Sequence, residues 1–423
     1  MADNEGLRLR HWNDKAIVGL ALMALCSGFG QFGAVAALGD VAKSFGQVAH
    51  GGTPIQQAGL SGTELGVGLA VLRLASIGGL PLSGLADRVG RRVTLIGTCV
   101  FGLAFTVTAA ASPGYWWFVV IFAFGRPLLS ATNALAQVGA AEETASRDRA
   151  KAVALVAAGY GVGSGLTAVI HGLAKSSLGF RGVFVLAVVP LVGVFFIRRW
   201  LVEPDRFTVA AAAGDHSVPV FGAVGPAFRS RLLVVTGLVF AVSVITGPAN
   251  SFIFVYAQNV LGLSGAVTAA MVVVAGVFGL VGLLAGRWLA DHVGRRPTGA
   301  ASMVAMAVSG VFTYSGSHVA LLIGYELGVF AASTFAPAAG AFANELFPTS
   351  VRASVAGWNI AASVLGAVLG LLAFGAIAQV GTRFDGLRAA TVTFIPALAA
   401  TVLFLKLPET KGREPEDLWP SPM

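Results

Sequence analysis

Two side chains of opposite charge lie within long apolar runs and are the first candidates for chemistry. Arg126 stands in the run around Phe124-Gly125, and Glu326 stands in a second run beside Tyr325. A charge at the centre of a bilayer costs at least about 2.5–3.5 kcal/mol, so each of these groups requires a physical reason. We expect Arg126 to anchor an anion or carboxylate and Glu326 to carry a proton. The alternatives are a permanent structural ion pair, or an arginine that is bonded to backbone carbonyl groups.

Neutral polar side chains at similar positions in the apolar runs form a second set of candidates. Buried amides need hydrogen-bond partners, so many of them will bond to other helices instead of a solute. The segment Gly247-Pro248-Ala249-Asn250 is expected to break its run and expose carbonyl groups, with a simple kink as the alternative. Together with Arg126, the predicted solute-binding residues are Gln31, Asn133, Tyr160, Asn250, Trp358 and Asn359.

Motifs of enzyme chemistry are absent from the sequence. No glycine-rich loop ends in GK[ST], which argues against direct use of ATP. No HExxH motif and no Cys/His spacing for a metal occurs, and Cys26 and Cys99 both lie inside apolar runs. The sequence therefore predicts a protein that is not an enzyme and that needs neither a metal nor a cofactor.

The composition indicates an integral membrane protein. Hydrophobic residues make up 56% of the 423 residues and charged residues 11%, whereas soluble domains carry about 25% charged residues. The net charge of +8 does not indicate nucleic-acid binding, because the basic residues lie in short loops beside apolar runs. We expect a monomer whose surroundings are the lipid bilayer.

Twelve apolar runs are long enough to cross a bilayer, which needs about 20 residues per helix. Their continuity, without alternation of apolar and polar residues, predicts helices and excludes a β-barrel. The predicted spans are residues 16–38, 65–83, 93–111, 116–137, 150–172, 183–200, 232–256, 267–289, 298–315, 319–342, 353–378 and 387–405.

The distribution of basic residues predicts the orientation of these spans. With the N terminus inside, 21 of the 28 lysine and arginine residues lie on the inner side, as the positive-inside rule requires. We therefore expect a multi-pass protein of the plasma (inner) membrane with both termini in the cytoplasm. The predicted parts are a first bundle (1–197), a cytoplasmic linker (198–231), a second bundle (232–405) and a tail (406–423).

A charged octet occurs once in each half of the chain. Residues 85–92 read LADRVGRR, and residues 289–296 read LADHVGRR. Two matching loops in equivalent places indicate an internal duplication, and duplicated helical bundles that pivot about a central site are a transporter design. The alternative is that each octet only fixes the membrane topology.

A second inner-edge pattern also recurs. Glu142-Glu143 precede Arg147 and Arg149 after the fourth span, and Glu345 precedes Arg352 after the tenth. Carboxylates that face the arginines of the octets would form a cytoplasmic latch. Exposed ion pairs contribute only about 0–1 kcal/mol each, so such a latch can open.

The octet resembles the loop between spans two and three of the major facilitator superfamily, although Ser83 and Arg287 replace its first glycine. The E-x-x-P-x-x-x-R pattern of residues 345–352 and the PETKGR ending at 408–413 resemble the sugar-porter and organic-ion (metabolite:proton symporter) branches. The resemblance implies twelve transmembrane helices in two pseudo-twofold-related six-helix bundles. It also implies a cytoplasmic gate formed by Asp87, Arg88, Arg91, Glu143, Arg149, Asp291, Arg295, Glu345, Arg352 and Glu409.

Departures from the sugar-porter pattern bear on the solute. Spans five and seven contain no glutamine, and Gln258 falls just beyond span seven. Gln31 stands where proton-coupled sugar porters carry an aspartate, and an amide cannot titrate. A sugar substrate is therefore poorly supported.

These observations predict a secondary active transporter that moves a small organic solute by alternating access, in symport with protons. In this hypothesis, protonation of Glu326 weakens its hold on Arg126 and frees the arginine for the solute. One alternative is an exporter of drugs or metabolites driven by proton antiport. Another, from a different class, is a membrane sensor that does not transport.

Overall fold

The computed structural model describes residues 10–46, 60–203, 224–380, 383–413 and 418–419. Most of the predicted linker, residues 204–223, lies outside the described residues. Contacts divide the chain into two compact units, one of residues 1–37 and 75–217 and one of residues 38–74 and 218–423. The predicted bundle boundaries stay a prediction.

The described chain is helical almost throughout. Two-residue strands β1 (Gln379–Val380) and β2 (Arg383–Phe384) pair antiparallel. Short 3₁₀ segments cover Ser76–Gly78 and Leu398–Lys406, and a π-helical segment covers Tyr256–Val260. The α-helices are α1 (Lys15–Ala36), α2 (Leu38–Phe45), α3 (Gly62–Ala75), α4 (Gly79–Val89), α5 (Arg91–Ala109), α6 (Tyr115–Glu143), α7 (Ser146–Val185), α8 (Val188–Ile197), α9 (Pro226–Ser251), α10 (Gly265–His292), α11 (Arg295–Thr313), α12 (His318–Glu345), α13 (Thr349–Ala378) and α14 (Gly386–Ala397), with a short helical turn at Ile253–Val255.

Eleven helical segments of the described chain are long and apolar enough to cross a membrane. The predicted ninth span, 298–315, is also helical and corresponds to α11, but it is not among the eleven. Its polar residues Thr298, Ser302 and Ser309 are buried within the protein, and they lower its hydropathy. The all-helical membrane architecture is confirmed, while the number of twelve spans stays a prediction.

In the first unit, α1 and α7 pack with their backbones almost in contact. A Cβ atom added to Gly159 would lie 2.3 Å from the carbonyl oxygen of Ala21, and one added to Gly163 would lie 2.0 Å from that of Leu25. Only glycine fits where backbones approach this closely. This packing fixes the position of α1, which carries Gln31.

Two predicted spans differ in detail from the structure. The second span is interrupted, because the 3₁₀ turn Ser76–Gly78 separates α3 from α4. The expected break at 247–250 does not occur there, since α9 continues through Pro248 to Ser251 and the helix is interrupted at Phe252. The Phe252 N–H donates to the Pro248 carbonyl over 2.9 Å, and Gly370 of α13 packs against the Val244 carbonyl, to which Pro248 has no N–H to donate.

Candidate functional site

Arg126 lies half-buried in α6 of the first unit. Its Nη1 donates a hydrogen bond to the backbone carbonyl of Gln31 over 2.8 Å, and its Nε donates to Oγ of Ser76 over 3.1 Å. One expected alternative, a bond from the guanidinium to a backbone carbonyl, is therefore present. Pro127 follows Arg126 inside the helix. The guanidinium thus lies at a fixed place where it presents positive charge within a membrane-spanning segment.

The Gln31 side chain belongs to the same cluster. It is 5% exposed, and its Nε2 donates to Oγ of Ser27 over 2.8 Å. The Ser27 hydroxyl in turn donates to the Leu129 carbonyl over 2.7 Å. Ser130 Oγ lies 3.4 Å from Gln31 Oε1 and donates to it. The side-chain amide is therefore held by protein groups, while the backbone carbonyl of the same residue accepts the hydrogen bond from Arg126.

Two other predicted residues of the first unit differ in their surroundings. Asn133 is half-buried on α6, and its Oδ1 is a buried acceptor that finds no hydrogen-bond partner among the described residues. Tyr160 is half-buried on α7, where its backbone carbonyl faces Gly28 of α1. Asn133 therefore carries an acceptor that no described residue satisfies, and the Tyr160 backbone contributes to helix packing.

Glu326 occupies an apolar environment in the second unit. It lies on α12 and is 8% exposed, and its Oε2 is buried without a hydrogen-bond partner in the described part of the chain. The neighbouring side chains of a cavity of about 430 Å³ are apolar, among them Met271 of α10 and Leu327 of α12. The carboxyl group therefore borders an apolar cavity, and its buried oxygen accepts no hydrogen bond from the described residues.

The remaining predicted binding residues also lie in the second unit. Asn250 is exposed, and its Nδ2 donates to the Thr246 carbonyl of its own helix over 2.9 Å. Trp358 is 42% exposed on α13. Asn359 is half-buried, and its Oδ1 is a buried acceptor with no partner among the described residues. Asn359 is thus the counterpart of Asn133 in chemistry, although the two belong to different units.

The first octet forms an ion pair with a carboxylate that differs from the predicted one. Arg91 Nη2 lies 2.9 Å from Oε1 of Glu142. The neighbouring Glu143 is 5% exposed and pairs instead with Arg10, whose Nε lies 3.3 Å from Oε2. Successive residues of a helix point to different faces, so the two glutamates contact different arginines. Arg149 lies half-buried on the first turn of α7, and Arg88 is exposed; the side chain of Asp87 lies outside the described part.

The second octet brings several predicted gate residues together. Arg295 Nη2 lies 2.9 Å from Oε1 of Glu345 and 3.9 Å from Oδ1 of the exposed Asp291. Arg352 Nε donates to the Phe347 carbonyl over 3.0 Å. Glu409 accepts the backbone N–H of Arg295 over 2.9 Å at Oε1. These residues link the end of α10, the start of α11 and the end of α12 to the segment that contains Glu409.

Partial burial of Glu409 would by itself raise the pKa of its carboxyl group. Four backbone N–H groups donate to this carboxylate, those of Arg295, Arg296, Lys411 and Thr410. Their stabilisation of the charged form is larger, so the pKa is lowered from its ordinary value of 4.5. Glu409 is therefore an anion at neutral pH.

Glu203 is a structural residue beside the first octet that the sequence did not single out. Its carboxylate accepts the backbone N–H groups of Arg91 over 2.5 Å and of Arg92 over 3.0 Å. The available signal was position: Glu203 follows the first half's last apolar run, as Glu409 follows the second half's. The PETKG pattern includes Glu409 and gives no indication of the role of Glu203.

Among the described residues, no group of three or more His, Cys, Asp or Glu side chains lies where it could hold a metal ion.

Known proteins similar to this chain are membrane transporters. The "Probable 4-methylmuconolactone transporter" of Cupriavidus pinatubonensis is 27% identical over 371 residues, which cover 84% of each chain. The 3-(3-hydroxy-phenyl)propionate transporter of Escherichia coli is 29% identical over 350 residues, covering 80% of this chain and 82% of the relative. A crystal structure of a D-xylose-proton symporter matches with a TM-score of 0.74 at 18% identity, covering 95% of this chain and 99% of that one; this likeness concerns the fold.

The family model for the Major Facilitator Superfamily matches residues 20–292 and 280–422. The two matches together cover nearly the whole chain, and the transporters above agree with them. The expectation that the protein is a transporter and not an enzyme is confirmed. The chain belongs to the Major Facilitator Superfamily.

Proposed function

We propose that this transporter moves a small organic acid across the plasma membrane by alternating access, in symport with protons. The observation that carries the proposal is the Glu326 carboxyl group in the membrane-spanning helix α12. It is 8% exposed, and its Oε2 lacks a partner among the described residues. An ionisable group kept in apolar surroundings at such cost marks a transport or proton pathway more often than a structural contact.

The class of solute follows from charge and from the relatives. A guanidinium fixed at membrane depth, as Arg126 is by the Gln31 carbonyl, attracts a carboxylate and can bind it through two parallel hydrogen bonds. One relative is named for 3-(3-hydroxy-phenyl)propionate, which is a carboxylate with a ring. The acceptor on Asn133, which belongs to the same unit as Arg126, would bind a hydroxyl group of the solute.

The inner clusters would supply the gate. The pairs Arg91–Glu142 and Arg295–Glu345 are each 2.9 Å long, and each is partly exposed. Pairs of this kind contribute about 1 kcal/mol or less. We propose that they hold the inner ends of their helices in one state and exchange partners in the other.

The experiment is transport in proteoliposomes that contain the purified protein. A panel of ring-bearing carboxylates is tested first by counterflow, which requires no gradient, and then by uphill uptake under an imposed proton gradient. We expect Glu326→Gln to retain counterflow and to lose uphill uptake. The matched control is Glu64→Gln, because Glu64 lies at the start of α3 and accepts the N–H and hydroxyl of Ser61. Uphill uptake by Glu326→Gln with unchanged pH dependence would show that Glu326 does not couple protons.

A further inference from the structure

An apolar slot lies between α10 and α12 of the second unit. Its volume is about 430 Å³. Met271, Val274 and Phe278 line it from α10, and Ile323 and Leu327 line it from α12. Small-molecule sites have volumes of about 300–1,000 Å³ and mostly apolar walls, so the slot can hold one aromatic ring with a short substituent.

Among the described residues that line this slot, Glu326 is the one titratable group. Its side chain is more than nine-tenths buried, and its Oε2 has no donor among the described residues. A buried acceptor without a donor is unfavourable, because it has lost its hydrogen bonds to water. A ligand that brings a donor into the slot would remove this cost.

The groups that line the slot favour one chemical class of hydrogen-bond donor on the ligand. The described lining residues include no basic side chain to balance a ligand's carboxylate, so a carboxylate has to stay outside the slot. An ammonium group would gain attraction between opposite charges only when Glu326 is ionised. A neutral hydroxyl group can donate to a carboxyl oxygen whether or not Glu326 carries a proton.

We propose that the slot is a subsite for the hydroxylated ring of an aromatic acid, whose ring hydroxyl donates to Oε2 of Glu326. This inference rests on the proposed transport of a small organic acid, and it names the class of that acid. Specificity for the hydroxyl arises because a ring without it leaves the buried acceptor unpaired.

The test is equilibrium binding to the purified protein, without a membrane gradient, of 3-hydroxybenzoate and of benzoate. The two probes differ in one ring hydroxyl. We expect the wild type to bind the hydroxylated probe about 3–10-fold more tightly, as one net hydrogen bond implies. Glu326→Leu should abolish this preference, and Glu326→Gln, which keeps an acceptor, should retain part of it.

A second variant keeps the test decisive if Glu326→Leu does not fold. Ala270 is exposed on the wall of the slot, so Ala270→Phe should fill the slot and weaken binding of 3-hydroxybenzoate at least 5-fold, on the order of the loss of one ring's contacts. Ala305→Phe is the matched control, because Ala305 is exposed on α11 outside this slot.

Three results would overturn the assignment. These are equal affinity of the wild type for the two probes, unchanged affinity in Ala270→Phe, and absence of binding of either probe. Because no proton gradient is involved, each can occur while proton-driven uptake through Glu326 still holds. Conversely, if Glu326→Gln kept uphill uptake with unchanged pH dependence, the proposed proton coupling would be wrong. The preference of the wild type for the hydroxylated probe could still be measured.

Discussion

Glu203 and Glu409 hold equivalent positions at the starts of two helices in different units. The carboxylate of Glu203 accepts the first two N–H groups of α5, and that of Glu409 accepts the first two of α11. Each helix follows a glycine with positive φ, Gly90 at 112° and Gly294 at 130°. Helix N termini carry unpaired N–H groups and partial positive charge, and a carboxylate satisfies both.

The first prediction concerns these two glutamates. Replacing Glu203 or Glu409 with glutamine removes the charge and one of two acceptor oxygens, so each change should cost about 1 kcal/mol. The midpoint of thermal unfolding in detergent should fall by about 1–3 °C. Asp291→Asn is the control, because Asp291 is exposed and lies 3.9 Å from Arg295. If Glu203→Gln and Glu409→Gln had the same unfolding midpoint as the control Asp291→Asn, the carboxylates of Glu203 and Glu409 would not stabilise the helix starts.

The second prediction concerns pH. The pKa of Glu409 is lowered from 4.5 by the backbone N–H groups that it accepts. A group whose pKa is lower in the folded state stabilises that state above its unfolded pKa, and this contribution is lost as pH falls through the folded pKa. The difference in unfolding midpoint between wild type and Glu409→Gln should therefore be constant at neutral pH and shrink below 4.5. A difference that grows on acidification would contradict the assigned sign.

The third prediction distinguishes two neighbouring glutamates. Arg91 lies 2.9 Å from Glu142, whereas Glu143 pairs with Arg10. In double-mutant cycles with alanine, Arg91 and Glu142 should couple by about 0.5–1 kcal/mol. Arg91 and Glu143 should couple by close to zero, and Arg10 and Glu143 should couple measurably. Unfolding midpoints of the single and double variants provide the test, and strong coupling of Arg91 to Glu143 would show that the predicted partner was right.

Sequence alone predicted the helical membrane fold, because long apolar runs leave few alternatives in a bilayer. It did not predict that α9 continues through Pro248. The Val244 carbonyl, to which Pro248 has no N–H to donate, packs against Gly370, which lies 122 positions beyond Pro248 in the chain. The interruption at Ser76–Gly78 was missed as well, since its residues carry no proline and continue the apolar run.

The charged residues of the candidate site stand out in the sequence, whereas the contacts of its residues do not. Arg126 and Glu326 were recognisable because a charge in an apolar run is costly. Which of Glu142 and Glu143 faces Arg91 depends on how the end of α6 is rotated about the helix axis. Successive residues of a helix point in directions about 100° apart. Asn250 lies in an apolar run like Asn359, but it is exposed and bonds to its own helix. Such differences depend on helix rotation, which hydropathy does not specify.

The fourth prediction compares four glycines that occupy every second position of residues 159–165 in α7. A Cβ atom on Gly159 or Gly163 would lie 2.3 or 2.0 Å from a backbone carbonyl of α1, whereas Gly161 and Gly165 have no such neighbour within 4 Å. Gly159→Ala and Gly163→Ala should force the helices apart and lower the unfolding midpoint by several degrees, about 1–3 kcal/mol. Gly161→Ala and Gly165→Ala should be neutral or stabilise by up to about 1 kcal/mol, because alanine favours a helix. The four variants share segment, chemistry and size of change, so thermal unfolding compares packing alone. Equal effects at all four positions would show that α1 and α7 do not meet through these glycines.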